Sequence, residues 1–439
     1  MQPQQTQRSI LLFWSPLAAT WVMMATEGPF LAAVIARLPD ATFNLAAYGV
    51  AFALAIVVEA PVMMLMSAAT ALVRDRASYR KLRTFARVLA AGTTSMLALM
   101  LIPGVHHWLT QSVMGLPPQV ADLTYGALWL FLPWPSAIAY RRFLQGVLIR
   151  AGKTRLVAYG TVIRLVGMSC AALAAYLLLD IPGAWVGAMS LSTGVVAEAA
   201  AARFMAASTV RELLAGELDK PGAPEIRYRE IASFYFPLAL TSLIALTVQP
   251  MLTFFMGRSV APVQSLAVFP VVHALGFFFR SMGLAFQDAA IALMGERFEH
   301  LRELGRFATT LGVATSAALA LVAFTPLSQV YFVTVSGLTP ELTSVALTPA
   351  QLIVPLPALT VLLAFQRAIL VEGRRTRHIT VASAIEVSTI ATVFVALAWG
   401  MELVGATAAF AAFTCGRTLS NSYLFFGCRR LLARVRAPA

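Results

Sequence analysis

Polar residues come in short bursts along this chain and apolar residues in long unbroken runs, so the first pattern to read is segment length rather than helical face. A helix that crosses a bilayer needs about 20 mainly apolar residues. Twelve stretches meet that demand: 11–37, 44–73, 84–103, 121–140, 156–179, 183–206, 231–256, 263–294, 308–330, 347–370, 380–399 and 403–427. The first is too long for a signal-peptide core and has no cleavage-site pattern, so it is read as a retained helix. The predicted fold class is an all-α polytopic membrane protein of twelve transmembrane helices. Composition agrees, with 59% hydrophobic and only 12% charged residues and a mean hydropathy of +0.77, outside the range of water-soluble domains.

The polar bursts set the orientation. Basic residues are retained on the cytoplasmic side, and with the N-terminus inside every Lys and Arg except Arg37, Arg164, Arg258, Arg280 and Arg417 falls in an inner segment. That count assigns Arg141, Arg142 and Arg367 to inner segments. Both termini are expected in the cytoplasm and the protein in the inner (plasma) membrane. The net charge of +13 is spread over every inner loop, which suits topology and anionic lipid rather than nucleic acid. Cys170, Cys415 and Cys428 lie in or at the inner ends of helices, so neither a disulfide nor a metal cluster is expected.

The runs are also duplicated. Sliding the chain by 221 residues aligns 15–76 with 236–297 without a gap, and 18 of 62 positions are identical, among them Pro16/Pro237, Thr26/Thr247, Pro29/Pro250, Arg37/Arg258 and Arg76/Arg297. With small slips "FLPWPS" (131–136) answers "IVPLPA" (353–358), "QGVLIRAGKTR" (145–155) answers "QRAILVEGRRTR" (366–377), and "WVGA" (185–188) answers "LVGA" (403–406). Six helices per copy give parallel repeats, the plan of a transporter whose lobes alternate about a midplane site. The expected division is a first lobe 1–206, a cytoplasmic linker 207–229 containing Lys220, and a second lobe 230–439, the lobes forming a V open to one side.

Twelve helices in two such repeats, with prolines in the first and seventh, resemble the multidrug and toxin extrusion group of the multidrug, oligosaccharidyl-lipid and polysaccharide exporter superfamily. Within it, "LAAYGVAFAL" (45–54), "SFYFPLAL" (233–240) and "QPMLTFFMGR" (249–258) are most similar to the progressive ankylosis protein family. The resemblance implies export: amphiphilic, often cationic compounds exchanged for protons or sodium in the former group, small anions such as pyrophosphate, nucleotide and citrate in the latter. Other branches flip lipid-linked saccharides. The usual first-helix acid of the multidrug group is an Asp, whose nearest counterpart here is Glu27.

Charges inside a membrane helix cost about 2.5 to 3.5 kcal/mol each and mark function by default. Glu59 and Arg280 occupy equivalent places in the two repeats and are candidates for a midplane gate or binding site. His273, Arg280 and Gln287 recur every seven residues on one helical face, with Asp288 beside them, as a stripe that would line a cavity. Glu27 lies about 24 Å along the first helix at 1.5 Å per residue. It stands beside Pro29, which removes one backbone bond and should bend the helix, so a proton-coupling role competes with a plain kink. Pro250 repeats the bend without the acid. Arg164, Glu198, Glu386 and Arg417 lie nearer the inner ends, as gate charges or as cross-helix pairs.

GxxxxGK[ST], HExxH and GxSxG patterns are all absent. The reading is a secondary active exporter without cofactor, coupled to H+ or Na+, that moves a small organic anion or amphiphile, contacts membrane lipid and acts as a monomer. A lipid flippase or scramblase is the alternative.

Overall fold

In the computed structural model the described residues are 6–216, 226–295, 298–373, 375 and 377–436. Lys220, Arg297 and Arg374 lie outside them. The twelve apolar stretches become nineteen α-helices, because prolines divide several spans. The first half holds α1 (Gln7–Ala25), α2 (Glu27–Ile35), α3 (Ala41–Glu59), α4 (Leu65–Leu72), α5 (Arg76–Met100), α6 (Pro103–His107), α7 (Pro118–Phe131), α8 (Trp134–Arg150), α9 (Thr154–Leu178), α10 (Gly183–Met205) and α11 (Ala207–Ala215). The second half holds α12 (Tyr228–Met256), α13 (Pro262–Leu293), α14 (Leu301–Phe324), α15 (Leu327–Gln329), α16 (Pro340–Leu352), α17 (Leu356–Glu372), α18 (Arg377–Val395) and α19 (Gly405–Arg436). Among the described residues eight helical spans are long and apolar enough to cross a membrane, and α5 with the segment Pro103–Val113 makes a ninth bent by 74°. The chain is an all-α, multi-pass membrane protein. The expected linker 207–229 begins as α11, which is closed by the left-handed Gly216 (φ 79°); its residues 217–225 lie outside the described ones.

Each break has a local cause. Pro133 and Pro355 follow α7 and α16, whose amide ladders they cannot extend, so the fourth and tenth stretches are broken rather than merely bent. Pro61 turns the second stretch into α3, a 3-10 turn (Ala60–Val62) and α4, which leaves Glu59 as the last residue of α3. The repeat is also visible in irregular structure. Asp40 (φ 52°) and Ala261 (φ 50°), 221 residues apart, are left-handed residues that start α3 and α13. The π-helical turns Trp108–Val113 and Val330–Val335 each lead to a left-handed glycine, Gly115 and Gly337.

Two compact units result, but they are not the two halves of the sequence. One comprises Met1–Arg37 with Phe254–Ala439, the other Leu38–Thr253. The expected lobes 1–206 and 230–439 thus differ from the contact-defined units in the first and seventh spans. The reason lies in side chains the hydrophobicity pattern does not rank. Trp14 Nε1 donates to Met282 O at 3.2 Å and its ring stands edge-on to Phe307, while Ile10 is buried in a cluster with Phe286 and Leu304. At the far end of the span Arg37 Nη2 donates to Thr334 O at 2.5 Å, holding the second π-helical turn. In the other unit the hydroxyl of Tyr235 on α12 donates to Pro61 O, beside the 3-10 turn, and its ring stands edge-on to Phe85 of α5.

Small residues set the tightest helix approaches, as they do where lipid supplies no hydrophobic drive to pack. A Cβ on Gly194 of α10 would lie 2.8 Å from Arg164 O and 2.9 Å from Met168 Cβ on α9. A Cβ on Gly416 of α19 would lie 2.9 Å from Glu386 O and 2.6 Å from Ile390 Cγ1 on α18. All three residues of each crossing are 222 apart from their counterparts, as are Gly183 and Gly405, which open α10 and α19. The "WVGA"/"LVGA" match, offset by 218, is therefore out of register by about one helical turn, an error invited by alanine-rich sequence.

Candidate functional site

Both units bury a polar cluster near a glycine crossing, and in both the arginines outnumber the carboxylates. In the unit Leu38–Thr253, Glu198 of α10 is fully buried. Its Oε2 pairs with Arg141 of α8, its Oε1 accepts from Gln145 Nε2 at 2.9 Å, and Arg164 Nε of α9 stands 3.6 Å from Oε2. Glu59 is buried at the end of α3, in the electrostatic field of Arg141, Arg142 and Arg164. Its Oε2 has no hydrogen-bond partner among the described residues. Arg142 directs Nη1 and Nη2 at the sulfurs of Met66 and Met63, at 3.8 and 3.9 Å, which are weak acceptors for a guanidinium.

Arg141 and Arg142 were counted in an inner segment; the structure shows Arg141 buried and Arg142 half-buried against neighbouring helices. Both lie inside α8, because the helix restarts at Trp134 after the proline break and runs unbroken to Arg150. Arg367, likewise counted as an inner charge, belongs to α17, where its Nη2 reaches Ser383 Oγ at 3.4 Å and its Nε is buried without a partner.

In the unit Met1–Arg37 with Phe254–Ala439, Arg417 of α19 holds one oxygen of Glu386 on α18 through Nε at 2.9 Å and Nη2 at 2.7 Å. Its Nη1 also donates to Thr360 Oγ1 of α17 at 3.3 Å. Arg280 Nε of α13 donates to the same hydroxyl at 3.2 Å. The Thr360 proton goes to Leu356 O at 2.7 Å, so two guanidinium groups share one neutral acceptor. Arg280 lies over the Phe413 ring at 5.8 Å, a cation–π contact. Gly283, one turn on, allows the approach: a Cβ there would be 3.0 Å from Val361 N.

Arg164 and Glu386 are equivalent by the 222-residue register, but their partners are not: Glu198 lies four residues past the crossing glycine Gly194 and Arg417 one residue past Gly416. Both crossings thus carry an ion pair of opposite polarity, with partners about one helical turn apart.

The α13 stripe divides along its length. His273 sits among Phe269, Phe277 and Phe413, with ring centroids 5.7, 6.3 and 6.4 Å away, in the same unit as Arg280 and sharing Phe413 with it. Gln287 is half-buried and Asp288 exposed at the other end of the helix, so the structure does not bring Asp288 into this buried cluster. Glu27 is half-buried and opens α2 after a break at Thr26, whose Oγ1 donates to Met23 O at 2.7 Å. Gly28 lets this segment meet α13, since a Cβ on it would be 3.1 Å from Ala274 Cβ, next to His273. Pro250 lies within the continuous α12, where Thr247 Oγ1 returns a bond to Leu243 O. Glu59 and Arg280 belong to different units, each with the partners given above.

Sequence reading missed Gln145, Thr360, Gln366 and the depth of Arg141, Arg142 and Arg367. A signal was present: "YRRFLQ" (140–145) puts Arg141 and Gln145 four residues apart on one face. Gln366, the repeat counterpart of Gln145, is buried and donates to Asn421 O at 3.0 Å. Chemically, such clusters hold positive potential in a low-dielectric interior and offer guanidinium forks to a carboxylate or phosphate.

No family model matches the chain and no curated protein matches it. Solved structures do match, over nearly its whole length. It is similar to the inward-facing conformation of a multidrug resistance MATE family transporter of the MOP superfamily, with a TM-score of 0.73, 13% identity and 95% of each chain covered. It is similar to a MOP superfamily transporter from Pyrococcus furiosus Vc1 described as having a binding pocket of reverse polarity, with a TM-score of 0.64, 14% identity, and 99% of this chain and 98% of that one covered. It also matches lipid II flippase MurJ in an inward closed conformation, with a TM-score of 0.72, 11% identity, and 97% of this chain and 90% of that one covered. The broken spans and these likenesses together give the chain the fold of the MATE transporters of the MOP superfamily.

Proposed function

We propose that the protein is a secondary active exporter that works by alternating access and moves a small organic anion out of the cytoplasm, coupled to H+ or Na+. The observation that carries the anion reading is the basic excess of the two clusters: buried Arg141 with half-buried Arg142 and Arg164 against Glu59 and Glu198 in one unit, buried Arg417 with half-buried Arg280 and Arg367 against Glu386 in the other. A cation carrier would bury the opposite balance, because a guanidinium left without an anion raises the energy of every cation brought near it.

Arg280 is assigned to the anion. Its hydrogen bond goes to a neutral hydroxyl that it shares with Arg417, so an incoming carboxylate or phosphate oxygen would give it a far stronger partner. Glu27 and Glu59 are assigned to the coupling ion, as carboxylates inside apolar spans, and His273, Gln287 and Asp288 to the polar path along α13. The proposed direction is outward, with both termini cytoplasmic and a single chain as the working unit.

The flippase reading keeps a claim through the MurJ likeness, since guanidinium groups would hold a lipid phosphate equally well. The experiment is a binding screen by thermal shift in detergent, with di- and tricarboxylates, pyrophosphate and nucleotides against lipophilic cations across pH. Stabilisation by anions alone, abolished in Arg280→Ala, is expected. Stabilisation by cations alone would overturn the assignment.

A further inference from the structure

Two grooves outside the buried clusters stand at the same place in the two repeats. On α5, Arg83 and Arg87 line a groove of about 340 Å³ with Ser136 and Tyr140 of α8. On α14, Arg302 and Arg306 line one of about 650 Å³ with Thr309, Thr310 and Gln7 of α1. The sequences "LRTFAR" (82–87) and "LRELGR" (301–306) correspond, and 219 residues separate Arg83 from Arg302 and Arg87 from Arg306. The small residue between each arginine pair is also conserved in size, Ala86 and Gly305, and both line their grooves. An i, i+4 pair points both guanidinium groups to one side of its helix. None of the four arginines forms an ion pair among the described residues, so the charge in both grooves is unanswered.

We propose that each groove binds the phosphate head group of an anionic phospholipid, giving the protein one lipid site per unit. Three features favour a lipid over a soluble anion. The grooves lie at the ends of membrane-spanning helices rich in basic residues, where head groups sit. They open outward, with Arg87, Arg302 and Arg306 exposed. Exposed apolar side chains continue along the same helices, Val88, Met96 and Leu99 on α5 and Val313 and Leu321 on α14, as a track for acyl chains. The Tyr140 hydroxyl supplies an additional donor to phosphate oxygens in one groove; in the other the Thr309 and Thr310 hydroxyls donate to Gly305 O and Arg306 O, which leaves the guanidinium groups as the donors. The inference is independent of what the buried clusters carry.

The test counts retained lipids on the full chain by native mass spectrometry after exchange into mild detergent with phosphatidylglycerol or phosphatidylcholine. The wild type should keep two phosphatidylglycerol molecules. Arg83→Gln/Arg87→Gln and Arg302→Gln/Arg306→Gln should keep one each, and the fourfold variant none beyond the phosphatidylcholine level. Arg429→Gln/Arg430→Gln, elsewhere on the inner side, should still keep two, and melting curves verify that each variant is folded. Equal retention of both lipids by the wild type, or unchanged counts in the variants, would overturn the proposal. So would displacement of the lipid by excess inorganic phosphate, which would make the grooves soluble-anion sites.

Discussion

Arg417 grips a single oxygen of Glu386 with both Nε and Nη2, at 2.9 and 2.7 Å, one residue past the glycine at which their helices cross. At the other crossing Arg164, the counterpart of Glu386, stands 3.6 Å from Glu198, about one turn beyond the position equivalent to Arg417. The glycine crossing is thus the architectural constant, and the pair is a means of closing it that either polarity satisfies.

Removing one member of such a buried pair leaves an uncompensated charge, which costs about 3 to 5 kcal/mol. Glu386→Gln should lower the melting temperature in detergent markedly. The exchange Glu386→Arg/Arg417→Glu, which copies the polarity of the other repeat, should recover most of the loss. Differential scanning fluorimetry on the three proteins checks both statements.

The crossings themselves predict a contrast among glycines. Gly194→Ala and Gly416→Ala place a Cβ within 3 Å of a backbone oxygen across the interface, and overpacking of this kind costs about 1 to 3 kcal/mol. Gly92→Ala meets nothing within 4 Å and should melt as the wild type or slightly higher, because alanine favours helix. Equal shifts in all three would contradict the close approach.

How much of this was legible in the chain depends on the scale of the feature. Apolar runs of membrane length gave the spans, and the proline pairs Pro133/Pro135 and Pro355/Pro357 marked the places where a bend is expected and a break is found, because both are local properties. Which helix packs where was not legible: Trp14 reaching Met282 O is a contact between residues 268 apart, and the amphipathic signal is weak when lipid and protein interior are both apolar. Arg141 and Arg142 misled for a related reason. Counting charges per loop assumes that basic residues flank helices, and these two extend a helix whose start was displaced by Pro133. Glu198, Glu386 and Arg417 were visible as charges, but their pairing depended on a register that alanine repeats blurred by a turn.

Glu27 and Glu59 predict separable defects. Glu59→Gln keeps the shape of a buried side chain while removing its charge, so it should fold normally and lose transport. Glu27→Gln should leave substrate binding intact but make flux insensitive to an imposed pH or sodium gradient, whereas Glu27→Asp should retain the dependence. Flux measured in proteoliposomes with and without the gradient distinguishes the two roles, and an unaltered gradient dependence in Glu27→Gln would remove it from coupling.

Phe413 connects His273 with Arg280. Phe413→Leu preserves bulk but withdraws the ring face from the guanidinium, a loss of about 0.5 to 2 kcal/mol. It should raise the apparent KM for an anionic substrate several-fold with little change in melting temperature.

The central claim, export of an organic anion through a path that uses Arg280, is tested most directly by counterflow in proteoliposomes. Vesicles preloaded with unlabelled citrate or pyrophosphate are diluted into labelled substrate, with tetraphenylphosphonium and fluorescent lipid as parallel cargoes. The account predicts transient accumulation of the labelled anion by the wild type and none by a folded Arg280→Ala variant. Accumulation of the lipophilic cation, movement of lipid without anion, or wild-type anion counterflow in Arg280→Ala would contradict it.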